Sequence, residues 1–329
     1  MLTEELREKG QEEKADILTF EELLEDHQHH HDHDHDHELA AGRFSFGPFF
    51  LFTGLQLAAA LGLFYWIKPD MFRAEIAQPG MMLFWTFAFG VPLSLFEFLY
   101  HRYLLHSAVL PFLGIMHHCH AEHHGLTNVK APVTKKEPEK MVDVHSEYPI
   151  VHKHQEESMQ FPIFAISIFY LIFVGLVAVP IKWFFPGQPV IAAMMFTATL
   201  AYAAYEIWHA ILHLPYDRYW KPAMENKRWG GTIRHIYGFH LMHHWRPITN
   251  QAVVGFWGWA VWDHLFRTHH RPLRMPLNKA KVNYTDAAIP KPRWPVTALD
   301  KLQPRLYKMS RKTEQILARL FGQRPKTQA

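Results

Sequence analysis

The chain of 329 residues is 49% hydrophobic and 20% charged, with a net charge of +3, a composition that excludes disorder over most of its length. Its single cysteine excludes an intramolecular disulfide framework, a four-cysteine zinc site and a cysteine-ligated iron–sulfur cluster. The mean hydropathy of −0.15 suggests a soluble protein only because charged ends are averaged with long apolar runs.

The N-terminal region is acidic, with 14 acidic and 4 basic side chains among residues 1–48. Residues 1–26 are highly charged and lack the apolar stretch of a secretory signal peptide, so we expect a surface helix or arm. Residues 27–39 alternate histidine with aspartate, which is typical of a solvated, loosely metal-chelating tract. We therefore separate 1–48 from the rest of the chain as an acidic arm.

Four apolar stretches follow, and a helix over each could cross the ~30 Å hydrocarbon core of a bilayer. The first and third contain no charged residue, and the second contains only Glu97. The fourth continues into a segment that contains Glu206 and two histidines. The predicted transmembrane helices are 49–67, 81–100, 161–181 and 190–205, the last extended toward residue 214.

Short linkers join the first helix to the second and the third to the fourth, which predicts two helical hairpins. The polar stretch 101–160 connects the hairpins. Residues 214–329 contain 21 basic and 6 acidic side chains. Positive-inside bias places this tail, and with it the N-terminus, on the cytoplasmic side.

The chain contains 26 histidines, and most of those outside the acidic tract gather where the second and fourth apolar stretches end or soon afterwards. An even number of spans separates the first two groups from the last two, so all four groups should emerge on one face. The groups are His101 and His106; His120, His123 and His124; His209 and His213; and His240, His243 and His244.

The spacing within these groups suits metal binding. Positions i, i+3 and i+4 share a helix face, so we expect each His-x-x-His-His group to present three imidazoles to one centre. His101 and His106 would point about 140° apart on a regular helix. They could bind separate metals, or the helix end could unwind between them. Ten imidazoles exceed the four ligands of a zinc ion and suggest two metals with about five each.

Together these patterns predict an all-α integral membrane protein. Four transmembrane helices would form two hairpins, and a cytosolic helical cap would hold a histidine-rich site for two metals. Imidazole suits zinc, copper, iron and nickel, so the ligands do not choose the metal. We expect Cys119, inside the second group, to be a bystander.

At these histidines the chain resembles the fatty acid hydroxylase superfamily of membrane histidine-rich di-iron hydroxylases and desaturases. The family pattern is His-x4-His, His-x-x-His-His, His-x3-His and His-x-x-His-His, in this order. The segments FEFLYHRYLLH and AYEIWHAILH are similar to sequences of the fatty acid 2-hydroxylase branch. Trp262, Asp263, Phe266 and Thr268 resemble the closing motif of the family, although Arg267 stands where many relatives have glycine.

The resemblance covers residues 49–271 and implies a membrane catalytic domain there, followed by a basic tail over 272–329. It implies two iron ions, with zinc as a possible substitute in a purified sample, and all ten histidines as ligands. Hydroxylation of a lipid C–H bond, in a fatty acyl or sphingolipid-type chain, would use O2 and two electrons. Carboxylates near the histidines in sequence, Glu122, Glu206 and Asp263, are expected to orient the rings.

The expected partners are a lipid substrate in the bilayer and a separate reductase or redox carrier, with no nucleic acid. A groove lined by aromatic residues should admit the substrate; candidate lining residues are Phe84, Trp85, Phe96 and Trp208. The basic tail could dock an acidic carrier. The polar insertion 125–160 could form a lid or contact a partner. A bacterial inner membrane is favoured over the endoplasmic reticulum.

Other functions share these features. A desaturase or a sterol or carotenoid hydroxylase of the same superfamily would use the same histidine spacing. A metal transporter or metal-handling membrane protein is suggested by the histidine–aspartate tract, but transporters place ionisable ligands near the middle of the membrane. A catalytically inactive relative with structural zinc is a further alternative.

Overall fold

A computed structural model describes residues 46–111, 114–127, 129–132, 134–144, 160–162, 164–272, 274–275 and 277–320. The predicted acidic arm, apart from its last three residues, and the whole histidine–aspartate tract lie outside the described residues. So do His145, His152 and His154 in the insertion, and the last nine residues of the tail.

The described residues are mostly helical. Four helical stretches are long and apolar enough to cross a membrane: Phe46–Ile67, Pro79–Leu105, Ala165–Phe184 and Val190–Leu212. They confirm four predicted spans, with the third beginning four residues later than expected. The helices up to the fourth span are α1 (Phe46–Ile67), α2 (Pro69–Ile76), α3 (Pro79–Tyr100), α4 (Gly114–Leu126), α5 (Ala165–Phe173), α6 (Val179–Phe184) and α7 (Val190–Leu212).

The fourth span, α7, lies at the centre of the bundle that the four candidate membrane spans form. It packs against α1, α3 and α5. In the most apolar 18-residue stretch of α7, 56% of the residues are buried, compared with 11% in the corresponding stretch of the first span. Small side chains on α7, including Ala192, Ala193 and Ala198, are fully or almost fully buried and allow the neighbouring helices to approach closely. The remaining spans leave large apolar side chains exposed, as expected for surfaces that face lipid.

The end of the bundle where α7 begins is held by a buried ion pair. Glu75 on α2, which is 1% exposed, accepts from Lys182 Nζ on α6 at 2.7 Å. The second carboxylate oxygen of Glu75 accepts the backbone N–H of Ala192 at 2.8 Å. The linker helix α2 and the end of the third span are therefore tied to the first turn of α7, about 30 Å along that helix from the histidines at its other end.

Two of the spans contain a wider helical turn. In the third span a π-helical turn over Val174–Ala178 separates α5 from α6. Pro180 lies two residues after this turn, and its missing N–H and bulky ring disturb a regular helix. In the second span the last turn, His101–Leu105, is also π-helical. This second turn is part of the candidate site.

The region beyond the fourth span forms a second, smaller core. Its helices are α8 (Lys221–Met224), α9 (Gly230–Trp245) and α10 (Val261–Phe266). Buried Tyr237, Leu241 and Met242 of α9 pack in this core with residues of the insertion, among them Val129 and Val142. The α10 helix lies beside α3, where the rings of Phe98 and Phe266 are 5.3 Å apart.

The mostly helical structure, which agrees with the predicted all-α class, also contains two short antiparallel sheets. Strand β1 (Val129–Lys130) pairs with β3 (Asp143–Val144), and β2 (Lys140–Met141) pairs with β4 (Lys281–Val282). Each strand has two residues, too few for the alternating pattern that identifies a strand in a sequence. These pairings fasten residues 129–144 of the insertion to the body, against α9.

The described chain ends in a long amphipathic helix, α11 (Val296–Leu320). Asp300 in its second turn accepts a bidentate pair of hydrogen bonds from Arg102, at 3.0 and 2.8 Å. Tyr103 also donates to Asp300, at 2.9 Å. Because Arg102 and Tyr103 lie in the π-helical turn that ends α3, the start of α11 is fixed at the histidine end of the bundle.

Candidate metal centre

The ten histidines predicted as ligands meet in a single buried cluster at one end of the bundle. None of the ten is more than 7% exposed. They come from the C-terminal ends of α3 and α7 and from the middle and end of α4 and α9. The prediction that all four sequence groups converge on one face is confirmed.

Within the cluster, nine of the ten histidines form two groups whose nitrogens lie within 4.8 Å of one another. Group 1 contains His101, His106, His120, His124 and His243. Group 2 contains His123, His213, His240 and His244. His209 Nε2 lies 3.2 Å from His123 Nε2, so we include it in group 2. The cluster thus contains two sets of five imidazoles.

The two His-x-x-His-His segments are each divided between the groups, which corrects the expectation that each serves one centre. On α4, His120 and His124 belong to group 1 and His123 to group 2. On α9 the assignment is reversed, because His240 and His244 belong to group 2 and His243 to group 1. Residues four apart differ by only about 40° on a helix, whereas adjacent residues differ by about 100°. Each segment therefore bridges the two groups.

The π-helical turn explains how His101 and His106 reach the same group despite their five-residue spacing. The N–H of His106 bonds to the carbonyl of His101 at 3.2 Å, the i to i+5 pattern of a π-helix. The two rings are nearly parallel, with centroids 5.1 Å apart. Of the two alternatives left open by the sequence, the altered helix end is the one observed.

The distances between ring nitrogens fit shared metal ions. In group 1, His120 Nε2 is 3.1 Å from His106 Nε2 and 3.2 Å from His101 and His124 Nε2. In group 2, His240 Nε2 is 2.9 Å from His213 and 3.0 Å from His244. Two nitrogens bound to one ion at about 2.1 Å stand roughly 3.0–3.4 Å apart. The buried histidine groups can therefore hold metal ions.

Hydrogen bonds at the other ring nitrogen fix the tautomer of two histidines in group 1. His101 Nδ1 donates to the carbonyl of Gln251 at 2.6 Å. His243 Nδ1 donates to the carbonyl of Thr249 at 2.9 Å. A carbonyl only accepts, so the proton is on Nδ1 and Nε2 presents a lone pair to the group. In group 2, His244 Nδ1 lies 3.3 Å from Thr127 Oγ1.

Burial keeps these imidazoles neutral. Removal from water lowers the pKa of His120, His124 and His243 well below 6.5, and neighbouring histidines lower it further. The same causes lower the pKa of His240 and His244 in group 2. Neutral rings with lone pairs facing each other at about 3 Å repel unless a cation lies between them. The donor set therefore favours metal ions over protons.

Asp263 supports group 1 through the backbone. Its two carboxylate oxygens accept the N–H groups of Gln251 and Ala252, both at 2.9 Å, and Oδ1 also accepts from Thr268 Oγ1 at 2.7 Å. Asp263 is fully buried, and burial raises its pKa although these hydrogen bonds oppose the rise. Asp263 thus positions the Gln251 carbonyl, which in turn orients His101. The prediction was a direct contact between the carboxylate and the ring.

The other two carboxylates predicted to orient the rings are Glu206 and Glu122. Glu206 is buried on α7, where Oε1 accepts the N–H of Phe161 at 2.9 Å. Glu122 is half-buried on α4 and belongs to neither group. Arg267 has a φ of +56° at the end of α10, a left-handed conformation that favours glycine.

A cavity of about 910 Å³ lies against group 2. It is bounded by α7, α9 and the segment 252–264, and His240 forms part of its wall. Most of the lining is apolar or aromatic, including Trp208, Phe239 and Val253. His269 also lines it, and burial lowers the pKa of that imidazole to about 4, so the wall is neutral there.

The four aromatic residues predicted to line a substrate groove separate into three locations. Trp208 lines the large cavity, as predicted. Phe96 lines a second cavity of about 80 Å³ between α3, α5 and α7. Trp85 instead donates to Gln188 at 3.0 Å, at the opposite end of the bundle, and Phe84 is exposed one residue earlier. Helix packing accounts for the position of Trp85, and contact with lipid accounts for the exposed position of Phe84.

Several residues of the site were not identified from the sequence. Glu97, in the second span, accepts the N–H groups of Val253, Val254 and Gly255 at 2.6–2.9 Å. It thereby shapes the segment that forms both cavities. A lone carboxylate in an apolar span was an available signal for this role. The carbonyls of Thr249 and Gln251 have no sequence signal, because any residue supplies a carbonyl.

Trp257 lines both cavities. Its indole N–H donates to the carbonyl of Phe87 at 3.1 Å. The ring lies directly against Gly90 of α3, where any larger side chain would collide with it. Glycine at this position is therefore required by the close approach of Trp257.

Comparison of the chain with protein-family models, curated proteins and solved structures gave no match. The function is therefore inferred from the geometry of the site and the residues that form it.

Proposed function

We propose that this protein is a membrane-bound oxygenase that hydroxylates a C–H bond of a lipid with O2. The observation that carries the proposal is the large, mainly apolar cavity whose wall includes His240, a member of the ten-histidine cluster. An apolar chain in this cavity would lie against the candidate metal site. The resemblance of the histidine pattern to the fatty acid hydroxylase superfamily supports the same function.

Two iron ions are the metals that we propose, one in each group of five imidazoles. When bound, they would supply O2 activation, which the side chains cannot provide. The reaction would consume the C–H substrate, O2, two electrons and two protons, and would yield the alcohol and water. Imidazole also binds zinc, which could replace iron in a purified sample.

The protein's own contribution is positioning and exclusion of water. The bridging segments on α4 and α9 fix the two groups relative to each other. The carbonyls of Gln251 and Thr249 hold the rings of His101 and His243. The burial of all ten histidines limits access of bulk water and of competing substrates.

The substrate that best fits the cavity is a long apolar chain, such as a fatty acyl or sphingolipid-type chain. A volume of about 910 Å³ lies within the range of ligand pockets, roughly 300–1,000 Å³. Aromatic and aliphatic side chains dominate its lining, and no lysine or arginine is among the lining residues in the described part of the chain. Desaturation of such a chain is the alternative outcome at the same site.

The proposal includes a separate reductase or redox carrier, because the histidine site stores no electrons for repeated turnover. In the membrane, the two hairpins would bring the histidine cap and both termini to the cytoplasmic side. We propose a bacterial inner membrane as the location.

Comparison of lipid extracts tests the proposal. Cells grown with iron would express the wild-type chain, His123→Ala, or His118→Ala, an exposed histidine on the same helix that belongs to neither group. We expect lipids that have gained one oxygen with the wild type and His118→Ala, and none with His123→Ala. A loss of two hydrogens would instead identify a desaturase. Unchanged lipids, with an active reductase system supplied, would contradict both.

A further inference from the structure

The C-terminal helix α11 carries an apolar row that is exposed to solvent along most of its length. The row members are three or four residues apart and therefore share one face. The apolar members are 40–74% exposed, and Thr313 is exposed as well. The row consists of Leu302, Leu306, Met309, Thr313, Ile316 and Leu320.

Thr313 does not interrupt the apolar character of the row. Its hydroxyl donates to the carbonyl of Met309 at 2.9 Å. Because the hydroxyl hydrogen bonds to its own helix, the methyl group is the part of this side chain that adds apolar surface.

A cationic row runs beside the apolar row. Five of the six apolar-row positions are directly preceded by lysine or arginine, and the exception, Ile316, follows Gln315. A step of one residue is about 100° around a helix, so the cations line one edge of the apolar face. The cationic row consists of Lys301, Arg305, Lys308, Lys312 and Arg319.

The two acidic residues of α11 lie on another face and are paired. Asp300 bonds to Arg102, and Glu314 lies 3.1 Å from Arg311. Ser310, on the same side as these acids, is 2% exposed. The face directed toward the body of the protein is thus distinct from the apolar row, which the described part of the body leaves exposed.

The start of α11 lies at the level where the second span ends. Arg102 and Tyr103, which hold Asp300, come directly after α3. Just before α11, the N–H of Arg293 bonds to the carbonyl of Phe266 at 2.8 Å, and Phe266 packs on Phe98 of α3. Trp294, between Arg293 and α11, is 80% exposed. An exposed tryptophan at this level is typical of a membrane–water interface.

We propose that α11 lies on the bilayer surface at the histidine end of the bundle. The apolar row would enter the boundary between headgroups and acyl chains, and the cationic row would contact anionic lipid headgroups. The occupant of the exposed row is thus the membrane in which the spans are embedded. This proposal depends on the candidate membrane spans and not on the oxygenase function, so either can fail alone.

Labels on the full-length chain test this placement. In a Cys119→Ser background, which removes the single native thiol, an environment-sensitive fluorophore would be attached at Met309→Cys in the apolar row. The control is Gln315→Cys, an exposed position outside that row. The labelled proteins would be reconstituted in vesicles of phosphatidylcholine, with or without phosphatidylglycerol.

With phosphatidylglycerol, we expect the label at 309 to show blue-shifted emission, quenching by shallow nitroxide lipids and severalfold less quenching by aqueous iodide than the label at 315. Equal iodide access at both positions would overturn the proposal. Energy transfer between labelled copies would assign the row to a second copy of the chain. Shielding that requires an added redox carrier protein would assign the row to that partner. Either result would also overturn the proposal.

The cationic row has a separate test. Replacing its five residues by glutamine should abolish the difference in label emission between neutral and anionic vesicles. Arg311→Gln, which removes a cation from another face of the same helix, should leave that difference unchanged. Persistence of the anionic-lipid effect in the five-residue variant would contradict the role assigned to these cations.

Discussion

The two histidine groups have the same plan but different terminal helical turns. Each takes two histidines from the end of a span, an i, i+4 pair from one bridging helix and a single histidine from the other. The span histidines of group 2, His209 and His213, are four apart on a regular helix. Those of group 1, His101 and His106, are five apart and need a π-helical turn to face the same way.

The supports of the groups differ as well. Group 1 is held by two backbone carbonyls in the segment 249–251, which Asp263 positions. Group 2 contacts the Thr127 hydroxyl and forms part of the wall of the large cavity. We infer that group 1 is the more rigid of the two and group 2 the one nearer the large cavity.

Removal of one central histidine from each group gives the largest expected effect. His120→Ala should empty group 1 and His240→Ala group 2, because each ring contacts at least two others of its group through Nε2. If ten imidazoles bind two metals, each variant should retain about one bound ion per chain. Each variant should also lose hydroxylation. Elemental analysis of the purified proteins measures the ions. Loss of all metal from either variant would show that the groups are one inseparable site.

Acid should release metal from both groups. Burial lowers the pKa of His120 and His240 below 6.5, the value for an exposed histidine. When folded pKa values are lowered, protonation favours the unfolded or metal-free state, so stability and metal retention are full above pH 6.5 and decline as the pH falls below it. Thermal unfolding and metal retention measured from pH 8 to pH 4 check this. Retention that improves on acidification would contradict the assigned sign.

Asp263→Asn should weaken group 1 selectively. The amide has one acceptor oxygen where the carboxylate has two, so one of the N–H groups of Gln251 and Ala252 loses its partner and the Gln251 carbonyl shifts. Loss of a hydrogen-bond partner that positions a metal ligand costs about 10–100-fold in metal affinity. In chelator competition, we expect this loss of affinity in one of the two sites.

Asp286→Asn is the matched control for Asp263→Asn. Asp286 is also buried, but its carboxylate accepts the N–H of Asn283 in a turn outside both groups. The control should leave both metal affinities unchanged. Equal weakening of both sites by Asp263→Asn would show that the carboxylate acts on the whole fold and not on His101.

Thr127→Val should give the smallest effect and should act on group 2. The substitution keeps the shape of the side chain but removes the hydroxyl 3.3 Å from His244 Nδ1. The expected loss of affinity is below about 10-fold, because outer partners contribute at most 10–100-fold and this contact is long. Chelator competition should assign the loss to the site that His240→Ala empties; a loss in the other site would contradict the grouping.

The sequence predicted the parts of this molecule that depend on composition and on counting along the chain. Apolar stretches of 16–21 residues, each with at most one charged side chain, identified the spans. The even number of spans between the histidine groups predicted their convergence. Small inward-facing residues such as Ala192 and Ala193 gave no comparable signal, so the central position of α7 was not predicted.

The sequence could not predict contacts between distant segments. The carbonyl that orients His101 belongs to Gln251, 150 positions away. The division of the His-x-x-His-His segments depends on how α4 and α9 are rotated toward each other, which their spacing alone does not determine. The π-helical turn is likewise set by the packing at the end of α3, since HRYLL has no residue that marks such a turn.

X-ray absorption at the iron edge of the iron-loaded protein tests the central claim most directly. The account predicts an inner shell of about five nitrogen ligands per iron at about 2.1 Å, with the outer scattering of imidazole rings and no sulfur. An inner shell dominated by oxygen, without imidazole scattering, would place the iron outside the histidine cluster and contradict the account.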